Sequence, residues 1–527
     1  MAGTAKRVLA SVFTEAANVT FEEAFRHQYV LSKTPLDLSA FRQLKVGPFY
    51  LYHSADLPVA RLTTKSGRQL GWVLGFAVDA RGMLVDNEVR LDAKPASGNA
   101  IEHIETFVSG LSGRYVVIAS FADDGKTVSR LFLDPIGALG AIYDPANGVV
   151  ASSLLLALTR DLEPNPIFEV PAEIRAIPEF SKILPQDSVG TGLKTTCFGQ
   201  TFDKHARQLL SNHALDLVTF TAERRPNVSV DEALSDPDVA ATAIVDRLHT
   251  ILSALQAKYS GYMAISGGQD SRMLVASAPD GFSDFFRYYS YSDNWITELD
   301  LSIAQSLSER VGADFLAQPR SATANGSFFP NRKRSRNFQV RCAISTGLKT
   351  MGDTWWRNGY FRKLDFGKMW IRGNALEVVT ARLWTPTVNA PYRKAMRHAL
   401  RRLRLNTEDS RLSKVLMEEL TAWRESLPDE AQPVFPDFWY QELFLSHGQG
   451  DFLGLNDLIY FPPASDGGIF AAARAVPPDL RRVNALYDAV IRAGRSDLAE
   501  FPLTRDLVAR RKAEKASQKA AAHKTET

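Results

Sequence analysis

Between residues 45 and 160 the apolar positions fall in short runs that alternate with polar ones and are broken by turn signals. Residues 47–53, 69–78, 114–121 and 129–134 read as strands with hairpin-like connections. Residues 100–111 read as a helix between two of them. The first part of the chain is thus strand-dominated, and stacked sheets are expected. Prolines at 164, 166, 171, 178 and 185 mark residues 163–205 as linker and docking segments. From about 206 the texture changes. Asp236-Pro237 opens a long amphipathic helix that runs through Leu255, with Ser235 or Asp236 as its N-cap. A strand and a helix follow around residues 261–276, then a strand over 285–291 and a helix over 298–311. Strands alternating with helices predict a parallel sheet covered on both faces. Residues 390–500 are mainly helical in pattern. The basic run 332–337 reads as a solvated loop or as a contact for an acidic partner, and residues 354–359 are rich in Trp. The tail 505–527 has no large apolar residue after Val508 and is expected to be a frayed helix or disordered. There is no internal repeat.

A chain of 527 residues can bury two or three sizeable cores. Its 62 basic and 59 acidic residues leave a net charge of +3, too near balance to point to nucleic acid. Cys197 and Cys342 lie far apart and form no CxxC pattern, so neither a zinc site nor a disulfide framework is expected, and a reducing cytosol fits. Glu15 follows the first apolar stretch too soon for a signal peptide. No run approaches the roughly 18 apolar residues of a membrane span. A soluble, cytoplasmic protein is expected. The nine histidines are scattered; His53, His103 and His249 read as surface or core residues rather than ligands.

The candidate chemistry is concentrated in Ser266-Gly267-Gly268-Gln269-Asp270-Ser271, between a short apolar run and a helical stretch. Glycines allow a tight turn and close approach of a ligand to the backbone. Amides at a helix start, with the positive end of its dipole, favour a phosphate-type anion. Ser266 and Ser271 add hydroxyls. Asp270 is repelled by phosphate unless a cation lies between them, which reads as an Mg²⁺ ligand. The Lys of a Walker-type loop is absent.

These six residues resemble the SGGxDS pyrophosphate-binding loop of the ATP-pyrophosphatase superfamily, which grips the β- and γ-phosphates while the α-phosphate is attacked. Further segments are similar to asparagine synthetases of the B type. They are Gly113–Ile118, Leu133-Asp134-Pro135-Ile136-Gly137, Val150–Leu154, Trp370–Glu377, Tyr460–Pro463 and Pro477–Arg482. Beta-lactam synthetases and lasso-peptide cyclases share this layout. The resemblance implies an α/β fold with two main parts. Residues 1–205 would form a degenerate glutaminase-like domain of stacked sheets, of the N-terminal-nucleophile type. Residues 206–504 would form a parallel-sheet ATP-pyrophosphatase domain with a helical C-terminus, and 505–527 a basic tail.

The same resemblance implies an ATP- and Mg²⁺-dependent ligase that adenylates a carboxylate and passes it to ammonia or an amine. Ser266, Gly267, Gly268, Asp270 and Ser271 would hold pyrophosphate. Tyr288–Ser290, with Tyr289 central, and Ile371–Gly373, with Arg372 and Gly373, would line the adenosine. Asp270 and Glu377 would hold the metal, and Asp270 and Arg482 would serve the reaction centre. The partners implied are a small-molecule or peptide carboxylate and an amine or ammonia, with no membrane and no nucleic acid; a homo-oligomer or a partner protein stays open.

Three departures shape the expectation. Met1 is followed by Ala2, so the terminal cysteine of the family's glutaminase is missing. Leu376 stands where an Asp is usual; Glu377 either takes over metal binding, one step and about 100° around a helix away, or caps or pairs structurally. Arg481 and Arg482 replace a late Lys, which keeps charge but not a proton-transferring amine. A nucleotide-binding pseudoenzyme is the alternative reading.

Overall fold

The computed structural model describes residues 5–525 except 94–98, 124–125, 186–191, 227–231, 293, 319–331, 350–363, 382–383, 385–399, 402–409, 450–452 and 454–456. The Trp-rich stretch 354–359 and Ala2 lie outside the described residues.

The alternating runs of the first half form two sheets. Six strands order as Arg207–Gln208, Ile142–Asp144, Val149–Ala151, Tyr29–Ser32, Phe49–His53 and Arg42–Val46, all antiparallel. Seven others order as Thr221–Arg224, His213–Asp216, Lys126–Leu133, Ser112–Asp123, Gln69–Val78, Val59–Thr64 and Glu88–Leu91. Here only the edge pair, Val59–Thr64 with Glu88–Leu91, is parallel. The two-residue period of a strand explains how they stack. Val116 and Ile118 join Leu31, Leu51, Leu74 and Leu131 in one buried cluster between the sheets. Tyr115, Val117 and Ala119 point the other way, onto Ile104 and Val108 of the helix Ala100–Ser109. The strand is buried on both faces, which is why 115–119 is apolar without alternation.

The antiparallel sheets extend past the boundary expected at 205/206. Strands at 207–208, 213–216 and 221–224 pair into them. The proline-rich segment before that boundary is docked rather than loose: Phe168, Val170, Phe180 and Phe202 are buried in the main core.

The second half is built on a five-stranded, wholly parallel sheet. Helix α1 (Pro237–Gln256) precedes it, and Asp236 caps α1 by accepting from the Asp238 and Val239 amides at 2.8 and 3.2 Å. The strands are β1 (Gly261–Ala264), β2 (Phe286–Tyr291), β3 (Phe315–Gln318), β4 (Met369–Ile371) and β5 (Ile459–Phe461), in the order β3-β2-β1-β4-β5. Helix α2 (Gln269–Ala276) joins β1 to β2, and α3 (Trp295–Arg310) joins β2 to β3. The order reverses at β1, so a crevice opens at the carboxyl ends between β1 and β4.

Two expectations are corrected. Tyr460, read with the helical C-terminal part, lies on β5; three residues are too few to show a period. The basic run 332–337 opens a helix, Arg332–Ser345, rather than a loop. The tail forms helix α4 (Thr504–Thr525), which is exposed over most of its described side chains. Among the described residues no helix is long and apolar enough to cross a membrane.

The two halves meet along a polar seam. Arg247 of α1 pairs with buried Asp466 and donates to the Asp79 and Gly110 carbonyls. Asp134 is fully buried and accepts from the Ile136, Ala138 and Leu139 amides and from Ser465 Oγ. Burial pushes its carboxyl up, and those bonds oppose the rise.

Candidate active site at the carboxyl ends of the parallel strands

The six-residue loop leaves β1 at Ala264 and enters α2 at Gln269, with Gly268 at the N-cap position. Its hydroxyls first organise the loop itself. The Ser266 amide donates to Ser271 Oγ (3.0 Å), Ser271 Oγ donates to the Ser266 carbonyl (3.1 Å), and the Gly268 amide donates to Ser266 Oγ (3.1 Å). The Gly267 amide donates to Asp300 Oδ1 at 3.2 Å. No side chain caps α2, so its first turn keeps the donor character of a helix start. Two glycines are required by space. A Cβ on Gly267 would lie 2.1 Å from Thr504 Oγ1 and 2.7 Å from Ile303 Cδ1. One on Gly373 would lie 2.9 Å from the backbone C and O of Asp270. The turn after β4 therefore packs directly on the loop.

Asp270 stands between two clefts. One, of about 250 Å³, is lined by Ser266, Asp270, Ser271, Tyr289, Ser290, Tyr291, Asp300, Trp370, Arg372, Gly373 and Glu377. The other, of about 390 Å³, is lined by Gly267–Asp270, Thr380, Ala381, Trp384, Arg482, Asn484, Leu503 and Arg505. The first is walled by aromatic rings: Tyr289 and Tyr291 lie 6.4 Å apart, and the Arg372 guanidinium lies 5.0 Å from the Trp370 ring. The second carries two cationic side chains. Arg482 is exposed and 3.5 Å from Asp479, and Arg505 donates to Gln269 Oε1 at 2.9 Å.

The predicted residues thus fall at one end of the sheet, with distinctions. Of 288–290, Tyr289 and Ser290 line the first cleft, whereas Tyr288 faces a separate hollow near His249 and Arg495. Of 371–373, Ile371 is core. Arg481 and Arg482 part company. Arg481 is fully buried and donates to both carboxylate oxygens of Asp437 (3.1 and 2.6 Å) and to the Val378 and Val476 carbonyls. Its charge is used inside the fold. Trp384 Nε1 donates to the same Asp437 at 3.0 Å, which fixes the wall of the second cleft.

Leu376 is core. Glu377, on the 3₁₀ segment Leu376–Thr380, points into the first cleft. Its carboxylate also accepts from Tyr440 Oη and from the Ala375 amide (3.1 Å). Ala375 has φ +81°, a left-handed conformation that costs a non-glycine residue energy, and the Glu377 bond helps to hold it there. Both readings of Glu377 therefore have a geometric basis. Among the described residues no group of three or more His, Cys, Asp and Glu side chains could hold a metal ion. Asp270 and Glu377 still fit Mg²⁺ chemistry, because that ion is commonly held by one or two carboxylates plus substrate phosphates.

Several residues of the site were not found from sequence. Asp300 reaches the loop from α3. Burial pushes its carboxyl up, against hydrogen bonds from Thr504 and Gly267. Thr504 and Arg505 arrive from a segment more than 200 residues away. Only Arg272, a charge directly after the motif in an apolar helix, offered a local signal; it is fully buried. Both cysteines are buried and outside any disulfide, with thiols pushed up to about 12 by desolvation.

No family model and no curated protein matches the chain. Among solved structures, NMN synthetase from Francisella tularensis aligns over 41% of this chain and 95% of its own, at 12% identity and a TM-score of 0.17. A likeness that slight decides nothing. The mixed α/β fold, with one parallel sheet and a helical C-terminus, rests on the strand order itself.

Proposed function

We propose that the protein is an ATP-dependent carbon–nitrogen ligase of the asparagine synthetase type, which adenylates a carboxylate, transfers the acyl group to ammonia or an amine, and releases AMP and pyrophosphate. One observation carries this reading: the strand–SGGQDS–helix unit sits at the switch point of a parallel sheet, with Asp270 between an aromatic-walled cleft and a cationic one. Tyr289, Arg372 and Gly373 would take the nucleoside. Ser266, Gly267, Gly268 and Ser271 would shape the pyrophosphate cradle, with the first-turn amides of α2 as donors. Arg482 would add positive charge near the leaving group, and Arg505 stands on the same cleft. Mg²⁺, held by Asp270 and Glu377, would neutralise phosphate charge. What the chain supplies is mainly positioning and charge complementarity. Neither cysteine is placed as a glutamine-cleaving nucleophile, which supports ammonia or an amine as nitrogen donor.

Product analysis tests the reaction class. ATP, Mg²⁺, ammonium and a panel of carboxylates should yield AMP and pyrophosphate in equal amounts with at least one acid. ADP and phosphate as the sole products would contradict attack at the α-phosphate. A second reading, a nucleotide-binding pseudoenzyme, draws on the core position of Leu376 and on the Glu377 carboxylate being engaged by Tyr440. Nucleotide binding with no product across the whole panel would favour it.

A further inference from the structure

The loop is held from outside by the segment that enters the last helix. Arg272, on the first turns of α2, donates to the carbonyls of Phe501 (2.7 Å), Pro502 (2.8 Å) and Leu498 (3.4 Å). Thr504 then pins the Gly267 residue on both sides. Its amide donates to the Gly267 carbonyl at 3.1 Å. Its hydroxyl donates to Asp300 Oδ1 at 2.5 Å, the same oxygen that accepts the Gly267 amide at 3.2 Å. One residue on, Arg505 donates to Gln269, whose amide group in turn donates to Asn484 Oδ1 at 3.2 Å.

A glycine-rich turn is the part of a site with the most backbone freedom to lose on binding. Here that freedom is removed in advance. Gly267 has its amide and its carbonyl both engaged, and its missing side chain is replaced by the Thr504 hydroxyl. Of the three groups that hold it, the Thr504 amide and hydroxyl come from the C-terminal segment, and the Asp300 carboxylate is oriented by that hydroxyl. Asp300 is poorly solvated, and the Thr504 hydroxyl is a charge-assisted partner for its carboxylate.

We propose that Asp300 and Thr504 are positioning residues, and that residues 498–505 form a latch that preorganises the SGGQDS loop for a polyphosphate anion. The ligand part rests on the reading of the loop given above; the latch itself does not. Preorganisation lowers the ordering cost at the moment of binding, so losing the latch should weaken anion binding without unfolding the sheet.

The test uses the full chain in four forms: wild type, Thr504→Val, Thr504→Ser and Asp300→Ala. Hydrogen exchange of peptides covering 264–272 is followed without any ligand. Thr504→Val and Asp300→Ala should exchange about tenfold faster there, with the antiparallel sheets unchanged, and Thr504→Ser should behave as wild type because it keeps the hydroxyl. Calorimetry with inorganic pyrophosphate and Mg²⁺ should show about a tenfold weaker Kd for Thr504→Val, restored in Thr504→Ser. Exchange in Thr504→Val equal to wild type would overturn the latch. Wild type that fails to bind pyrophosphate would overturn the anion-site reading instead, and the exchange result would still decide the latch.

Discussion

Asp203 shows how a single side chain can order a stretch that has little regular structure. Its carboxylate takes a two-pronged contact from Arg160 at 2.7 and 2.8 Å and accepts the amides of Glu163, His205 and Ala206 at 2.9 Å each. Burial pushes the carboxyl up, but Arg160 and the amides win and hold it at about 2. A depressed carboxyl stabilises the fold at pH values above its unfolded pKa of about 3.9, and that contribution is lost as pH falls through about 2. Asp203→Asn should therefore cost on the order of 2 kcal/mol at pH 7, and the gap to wild type should narrow between about pH 4 and 2. Urea denaturation across that range checks it; a gap that is constant with pH would contradict the ion-pair account.

At the scale of elements, Arg481 joins the short helix Pro478–Arg482 to the helix Phe435–Trp439 through a buried ion pair with Asp437, and to the 3₁₀ segment after β4 through the Val378 carbonyl. Arg481 reaches Asp437 and the Val378 carbonyl together, so it ties the wall of the second cleft to the turn that carries Glu377. Removing one member of a buried pair strands the other, at a cost of about 3–5 kcal/mol. Arg481→Met should lower the urea midpoint accordingly. Near-wild-type stability with lost turnover would instead mark Arg481 as a ligand-binding residue. The long elements were legible because their periods are long. Helix α1 announces itself by Asp236-Pro237 and the repeat that follows, and strands 69–78 and 112–123 by their apolar runs. β5 and the helix at 332–345 were not: one is too short to show a period, and the other begins in a run of charges that reads as solvated.

The whole molecule turns on how distant segments converge. The phosphate-type loop was legible because its chemistry is contiguous, six residues with glycines, hydroxyls and a carboxylate. Asp300, Trp384 and the pair Thr504 and Arg505 were not, since they lie in three separate segments and only the parallel sheet brings them to one edge. The strands beyond 206 that join the antiparallel sheets were not legible for a related reason: strand pairing across more than 60 residues, as between 143 and 207, leaves no local trace. The account's central claim is that Asp270, between the two clefts, makes this edge a nucleotide-activating site. The most direct measurement is carboxylate-dependent pyrophosphate release from ATP and Mg²⁺, with wild type and Asp270→Ala side by side and their circular dichroism compared. The account predicts release by wild type and its loss, by more than about a hundredfold, in an Asp270→Ala protein that is still folded. Equal release by the two proteins would contradict it.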